Sequence, residues 1–455
     1  MPLKGKKQVN VDEAIVGILE ELKLTGDVVH KPLRMDDKEI ELLYIKTVVD
    51  GDQLHQLIIK PFFELGHLHH VASYLNSLPN QQEVQSQEQI LLDLTKGSVL
   101  VKLNKDLLLF DVKKVNTNTV RETSVEPTIL GPQYALSEDL ATNINLIRQR
   151  YHKPSLTVEM HEVGSKTNQS LAVIYDQNVV KEGVLKEVNS RISELDQDIV
   201  QSTTQLQRFM NNRTRSLLPT MMATERTDRI VYNLAGGKVI LLVDGSPSTV
   251  IAPAVFFDFM TSMEDNYGLY WVTKFSKFLR YLGLFACLIL PGLYFAATSF
   301  NPEVFRVELA LSIAGSRIGV PYPSFVEVLF MLIIMELLTE ASIRLPKAVT
   351  GTATTVGGLI LGTAATEAAL ASNIMIIIVA AVAISTFVIP INEMSYAIRV
   401  IRYILLLFAS IAGLAGLALA LIGILMYMTN KDSFGEPYFK IYFNQKRAET
   451  GDNPS

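Results

Sequence analysis

YLGLFACLILPGLYFAATSF, residues 281–300, is the stretch that decides how this chain is read. It carries no charge over about twenty residues, the length a helix needs to cross ~30 Å of hydrocarbon. Residues 372–390 (SNIMIIIVAAVAISTFVIP) and 403–428 (YILLLFASIAGLAGLALALIGILMYM) are also uncharged and of similar length. A soluble domain rarely holds three such runs, so the chain reads as an integral membrane protein. Two less uniform segments lie between them. Residues 323–341 (PSFVEVLFMLIIMELLTEA) are apolar but contain Glu327, Glu336 and Glu340, and 349–371 are built of Gly, Ala and Thr with Glu367 near the end. The fold class expected is a multi-pass α-helical membrane domain preceded by two small cytoplasmic α/β modules. The membrane domain is expected over 256–430, with spans at about 281–300, 323–341, 349–371, 372–391 and 403–428.

Lys274, Lys277 and Arg280 put the start of the first span inside. If all five segments cross, the Arg344/Lys347 and Arg399/Arg402 loops also fall inside, but the basic C-terminal tail (431–455) falls outside. If one is re-entrant, the tail returns and one basic loop is misplaced. The charges leave that parity open.

The chain has 455 residues, 49% hydrophobic and 19% charged, and its charges lie mainly before Arg280 and after Asn430. A net charge of −5 argues against a nucleic-acid partner. The one cysteine, Cys287, sits in the first apolar run, so no intrachain disulfide can form. Asp12, Glu13, Glu20 and Glu21 interrupt the N-terminal region, which lacks the apolar core of a signal peptide. The first 280 or so residues are therefore expected in the cytoplasm.

Residues 1–35 read as an amphipathic helix (11–24) and a linker. A first α/β module is expected over 36–115, with a strand at 41–49, a helical stretch at 53–60 ending before Pro61, and a hairpin of 98–103 and 106–112 turning at Asn104-Lys105. A second is expected over 116–255. Its helix at 137–150 can be capped by Ser137, strands follow at 157–163 and 170–175, and Val184, Leu185, Val188 and Ile192 line one face of a helix at 181–195. A helix at 224–234 and a buried strand at 238–243 complete it. Residues 248–259 are apolar but too short to span, and read as a docking segment on the membrane surface.

Ionisable groups at membrane depth cost roughly 2.5–3.5 kcal/mol at the helix centre on insertion scales and tend to mark function. Glu336 and Glu340 share a helix face, Glu327 lies on the other side, and Glu340 precedes Arg344 by four residues, the favourable order for a helical pair. The functional reading is an ion path or a gating pair between subunits. The plainer one is that Glu336 and Glu340 pair with Arg344 and Lys347 and fix the depth of the helix. In 349–371, Thr352, Thr355, Thr363 and Thr366 fall roughly on one face, and Gly358 and Gly362 form a GxxxG pair. That pattern suits close helix packing. It also suits a narrow, weakly polar pore lining with Glu367 as a charge ring at its mouth. Ala412, Gly416 and Ala420 form another small-residue stripe, read as a helix contact.

Enzyme signatures are missing: the chain has no Walker A loop, GxSxG, GxGxxG or HExxH. No catalytic residue, cofactor or metal is expected. His67, His69 and His70 cluster, but neighbouring histidines point apart and no cysteine completes a ligand set, so they read as a solvated loop. Residues 244–247 (DGSP) read as a turn.

Residues 239–254 (VILLVDGSPSTVIAPA), 312–323 (SIAGSRIGVPYP), 335–346 (MELLTEASIRLP) and 433–438 (SFGEPY), with 224–230 (TERTDRI) and 143–150 (NINLIRQR), resemble the A subunits of bacterial spore germinant receptors. The resemblance runs over about 40–440. It implies a subunit of the spore inner membrane, with its modules on the core side. It further implies a transporter-like B subunit and a lipoprotein C subunit as partners, and a homo-oligomeric ring whose centre passes cations when germinant binds. Departures from the family pattern fall at Leu332, Thr339 and Ser342 on the Glu336 helix, and at Thr227 and 215–219 upstream. An accessory paralogue or non-conducting scaffold that organises receptors is the alternative. A secondary transporter would call for internal repeats, and the sequence shows none.

Overall fold

The computed structural model describes residues 11–82, 84, 86–104, 106–114, 123, 126, 130–211 and 216–440; for 11–13, 347–349 and 352–354 it describes the backbone alone. The chain divides into two compact units, one holding two β-sheets and the other the long helices.

In the first sheet the strands β1 (Val28–Met35), β2 (Lys38–Ile45), β3 (Gln81–Gln82), β4 (Ser98–Leu103) and β5 (Asp106–Asp111) lie in the antiparallel order β1-β2-β4-β5-β3. Strand side chains alternate between faces, and both faces here are apolar. Ile40, Leu42, Val99, Val101 and Phe110 point to one core, shared with Phe62, Val71 and Leu75. Leu43, Leu100 and Leu109 point to the other, shared with Ile18, Ile90 and Leu94. Helix α1 (Val11–Glu21) and α3 (Gln87–Lys96) thus cover one face, and α2 (Leu68–Asn76) with the helical run 51–64 covers the opposite one. β1 begins inside the stretch expected as a linker. The run 51–64 passes through Pro61 instead of stopping before it, because His55–Ile59 is a π-helical turn whose wider rings tolerate the proline. His69 and His70 lie in the first turn of α2, not in a loop. The Asn104-Lys105 turn includes Lys105, which lies outside the described residues.

The second sheet comprises β6 (Leu156–Val163), β7 (Gln169–Asp176), β8 (Met222–Thr224), β9 (Val239–Val243) and β10 (Thr249–Ala252), in the antiparallel order β6-β7-β9-β10-β8. α4 (Leu140–Arg148) precedes β6, and α5 (Glu182–Ser193), α6 (Thr203–Asn211) and α7 (Thr227–Ala235) run between the strands. Val184, Val188 and Ile192 of α5 and Leu206 and Met210 of α6 pack on Leu171, Val173, Leu241 and Val250. Three sequence expectations change here. Residues 249–252 are not a surface-docking segment but a fully buried strand, paired on both sides. The cap of α4 is Asp139, whose Oδ2 accepts from the Thr142 N–H at 2.7 Å; Ser137 instead accepts from the Asp139 N–H. Residues 222–224 are strand, and α7 starts only at Thr227.

A buried ion pair ties the two sheets' layers together. Arg148, at the end of α4, donates from Nε and Nη2 to the two carboxylate oxygens of Asp27 at 3.0 and 2.8 Å. Thr47 donates to the same carboxylate, and the Gly26 N–H donates to the Val158 carbonyl of β6 at 2.8 Å.

Among its described residues the second unit holds six helices of more than ten residues: α8 (Tyr270–Ser299), α9 (Val307–Arg317), α10 (Ser324–Arg344), α11 (Lys347–Glu367), α12 (Asn373–Phe387) and α13 (Asn392–Thr429). The multi-pass domain expected from the sequence is corrected here. Among the described residues only two helices, α8 and α13, are long and apolar enough to cross a membrane. α10 carries Glu327, Glu336, Glu340 and Arg344 within its length. α12 has 15 residues, which at 1.5 Å per residue falls short of ~30 Å of hydrocarbon. α11 is bounded by Lys347 and Glu367 and built of Gly, Ala and Thr. α13 is itself broken, with non-helical backbone at Ala412 and Gly413.

Candidate functional site

Carboxylates in an apolar helical unit need partners, and α10 brings two of them to defined ones. The helix starts after Pro323, holds Glu327 in its first turn and Arg344 in its last, and stops before Pro346, where the residue ahead of a proline leaves the helical region. Glu327 is fully buried. Its Oε1 accepts from the N–H and the hydroxyl of Ser372, both at 2.7 Å, and its Oε2 accepts from Arg317 Nε at 3.1 Å. Ser372 in turn caps α12, accepting from the Met375 N–H at 3.3 Å. One carboxylate thereby joins the end of α9, the start of α10 and the start of α12.

Glu336 sits two and a half turns further along and faces α13. Arg399 donates to its Oε2 at 3.3 Å, and Arg402 donates to its Oε1. The arginines stand three residues apart and so share a helix face. Arg402 is only 1% exposed. It also reaches Cys287 of α8, Nη1 to Sγ at 3.7 Å, and Cys287 contacts the Thr386 hydroxyl of α12 at 3.3 Å. Three helices therefore meet at one guanidinium, and Cys287 links a fourth. Arg399 stacks on the Tyr396 ring and Arg402 on Tyr403, at 5.2 and 5.4 Å from the centroids. Among the described residues the Nε atoms of both arginines and the Tyr403 hydroxyl lack a partner. The cluster holds two cations against one anion, so the carboxylate is its indispensable member.

The other residues singled out in the sequence lie apart from this cluster. Glu340 pairs with Arg344 at 2.9 Å, as the spacing suggested, but both are largely exposed. Such a pair contributes little to stability. On α11, Thr355 and Thr363 are exposed, Thr366 is half-buried and Glu367 is exposed at the C-terminal end. The side chain of Thr352 lies outside the described residues. Thr363 donates its hydroxyl to the Leu359 carbonyl at 3.1 Å and Thr366 to the Thr363 carbonyl at 2.8 Å, within their own helix. A methyl placed on Gly358 or Gly362 would meet only Leu338 or Ile376, at ordinary contact distances of 3.8 and 4.0 Å. Neither glycine draws another helix of this chain into close backbone contact. Arg399, Arg402 and Ser372 were not singled out as site residues from the sequence. A basic pair at helical spacing just before an apolar run was the available signal.

The family model for the Bacillus/Clostridium GerA spore germination protein matches residues 17–453. Spore germination protein KA of Bacillus subtilis (strain 168) is 32% identical over 430 residues, covering 92% of this chain and 79% of the relative. Spore germination protein GerQA of Bacillus cereus is 32% identical over 458 residues, covering 99% and 91%. A solved structure, the N-terminal domain of the A subunit of a Bacillus megaterium spore germinant receptor, aligns with 56% of this chain and 99% of its own at 21% identity and a TM-score of 0.41.

Proposed function

This chain belongs to the Bacillus/Clostridium GerA spore germination protein family, and from that premise we propose that it is an A-type subunit of a germinant receptor in the spore inner membrane. In this reading its α/β modules lie on the core side. Copies of it assemble into a ring that passes cations when a transporter-like B subunit and a lipoprotein C subunit respond to a nutrient. Signalling by ion movement requires no catalytic group of its own.

The observation that carries the conducting role is the face of α11 that bears Thr355 and Thr363. The chain leaves it uncovered, with Leu359 exposed between the two threonines, and Thr363 turns its hydroxyl proton back to its own helix, so the surface offered is weakly polar and uncharged until Glu367. Weak, repeated oxygen contacts of that kind let an ion enter and leave. The Glu336 cluster is the pairing we assign to gating, since opening it separates α10 from α13. Spores carrying Thr355→Phe at normal abundance test the reading. Loss of nutrient-triggered ion release is expected. Release at the normal rate would remove the α11 face from the path.

A further inference from the structure

The first three turns of α8, residues 270–280 (YWVTKFSKFLR), contain three cations and no carboxylate. At 100° per residue, Trp271, Lys274, Phe275 and Phe278 fall within roughly a third of the helix circumference, and Leu282 and Phe285 continue that stripe into the apolar run. Trp271 is 80% exposed, and Phe275 and Phe278 are each 61% exposed. Arg280, Gly283, Leu284 and Cys287 occupy the opposite face and are buried. The helix is thus packed on one side from Arg280 onward and open on the other, and before Arg280 only Thr273, Ser276 and Lys277 are as much as half-buried. Arg280 is committed to Asp265, at 2.6 and 2.8 Å, and Lys277, partly exposed, lies 3.9 Å from the same carboxylate, a loose contact that a lipid phosphate would replace. Lys274 has no carboxylate within ion-pair distance among the described residues; its ammonium lies 5.5 Å from the Tyr270 ring, which itself packs edge-on against Trp271.

Exposed aromatics beside a free lysine, on a helix that runs directly into a membrane-length apolar segment, match the chemistry of the headgroup layer. Tyr and Trp place their rings at the acyl boundary and their polar edges in the headgroups. Lysine lays its methylenes along apolar surface and lifts its charge outward. We propose that this stripe is a lipid-docking belt, with Trp271, Phe275 and Phe278 in the interfacial region of the bilayer and Lys274 and Lys277 holding the phosphates of anionic lipids. Each lysine is expected to strengthen the attraction to an anionic surface about fivefold.

Trp271 is the only tryptophan in the chain, so its fluorescence reports on this belt alone. The full-length protein is reconstituted in phosphatidylcholine vesicles with and without phosphatidylglycerol, using lipids brominated near the carbonyl end or deep in the acyl chain. Quenching is expected to be stronger from the shallow bromines, and stronger still when phosphatidylglycerol is present. Lys274→Gln with Lys277→Gln should abolish the phosphatidylglycerol dependence while the shallow quenching in phosphatidylcholine remains. Three results would overturn the proposal. Quenching by aqueous acrylamide but no bromolipid would put the belt in water. Protection from both would put it against protein, a second copy included. Bromolipid quenching indifferent to phosphatidylglycerol in the wild type would remove the anionic partner.

Discussion

A buried guanidinium in an apolar bundle is stable only while its anion stays in reach, and Glu336 is that anion for both Arg399 and Arg402. Removing one partner of a buried pair costs more than the pair contributes, because the remaining charge is stranded. Glu336→Gln should therefore destabilise the folded protein by about 3–5 kcal/mol, and Glu336→Arg with Arg402→Glu should recover part of it. Thermal unfolding of the purified protein in detergent measures both; an unchanged midpoint for Glu336→Gln would mean the arginines are neutralised elsewhere. Glu336 was singled out in the sequence, but its partners were not. Helical spacing pointed to Arg344 and Lys347, whereas the actual partners lie 63 and 66 residues away. Periodicity sees one turn of a helix and is blind to which helix packs alongside. Glu340–Arg344, a contact within one helix, is the pair that spacing did find. A second side chain, His152, carries a pH prediction. Burial, then repulsion from Lys113 and Lys96, holds its pKa below the ordinary 6.5. Between the two pKa values the unfolded chain binds the extra proton, so stability rises with pH there and falls on acidification. His152→Gln should flatten that part of the slope, as read by hydrogen exchange of the surrounding amides between pH 5 and 7.

Strands and helices differ in how well their sequences announced them. β4, β5, β7 and β9 were visible as short β-branched or leucine-rich runs bounded by turns. β10 was missed because Thr249 and three apolar residues next to Pro253 carry no period of their own, and only the pairing with β8 and β9 makes them a strand. β1 was missed because Lys31, Pro32 and Arg34 give it the polarity of a linker; as an edge strand it keeps those side chains in solvent. α13 shows the converse. It reads as one uninterrupted apolar helix, and the small-residue stripe of Ala412, Gly416 and Ala420 suggested only a contact face. The structure breaks the helix at this stripe. Gly413 has φ +58°, and a methyl there would lie 2.8 Å from the Phe300 side chain. Gly413→Ala is expected to cost at least about 1–3 kcal/mol from backbone strain alone. It should lower the thermal midpoint and raise protease sensitivity near 412–413, while Gly423→Ala, in open space, should do neither. Equal effects from both would mean that the break is not a fixed feature of the fold.

For the chain as a whole, the asymmetry of charge separated a sheet-bearing half from an apolar helical half, and that division holds. The count of crossings did not follow from it. Length alone made every apolar segment look equivalent, whereas the carboxylates of α10 and the shortness of α12 set these helices apart from α8 and α13. The chain belongs to the GerA spore germination protein family, and the proposal adds that copies of it form the ion path along α11. The most direct test is ion flux from liposomes containing the full-length protein, alone and then with its partner subunits, beside Thr363→Phe and Thr363→Ser variants of equal abundance and equal oligomeric state. The account predicts flux with the wild type and Thr363→Ser, and a block with Thr363→Phe. Flux that Thr363→Phe leaves unchanged, or none from any protein even with partners and nutrient present, would contradict it and leave the chain as a scaffold.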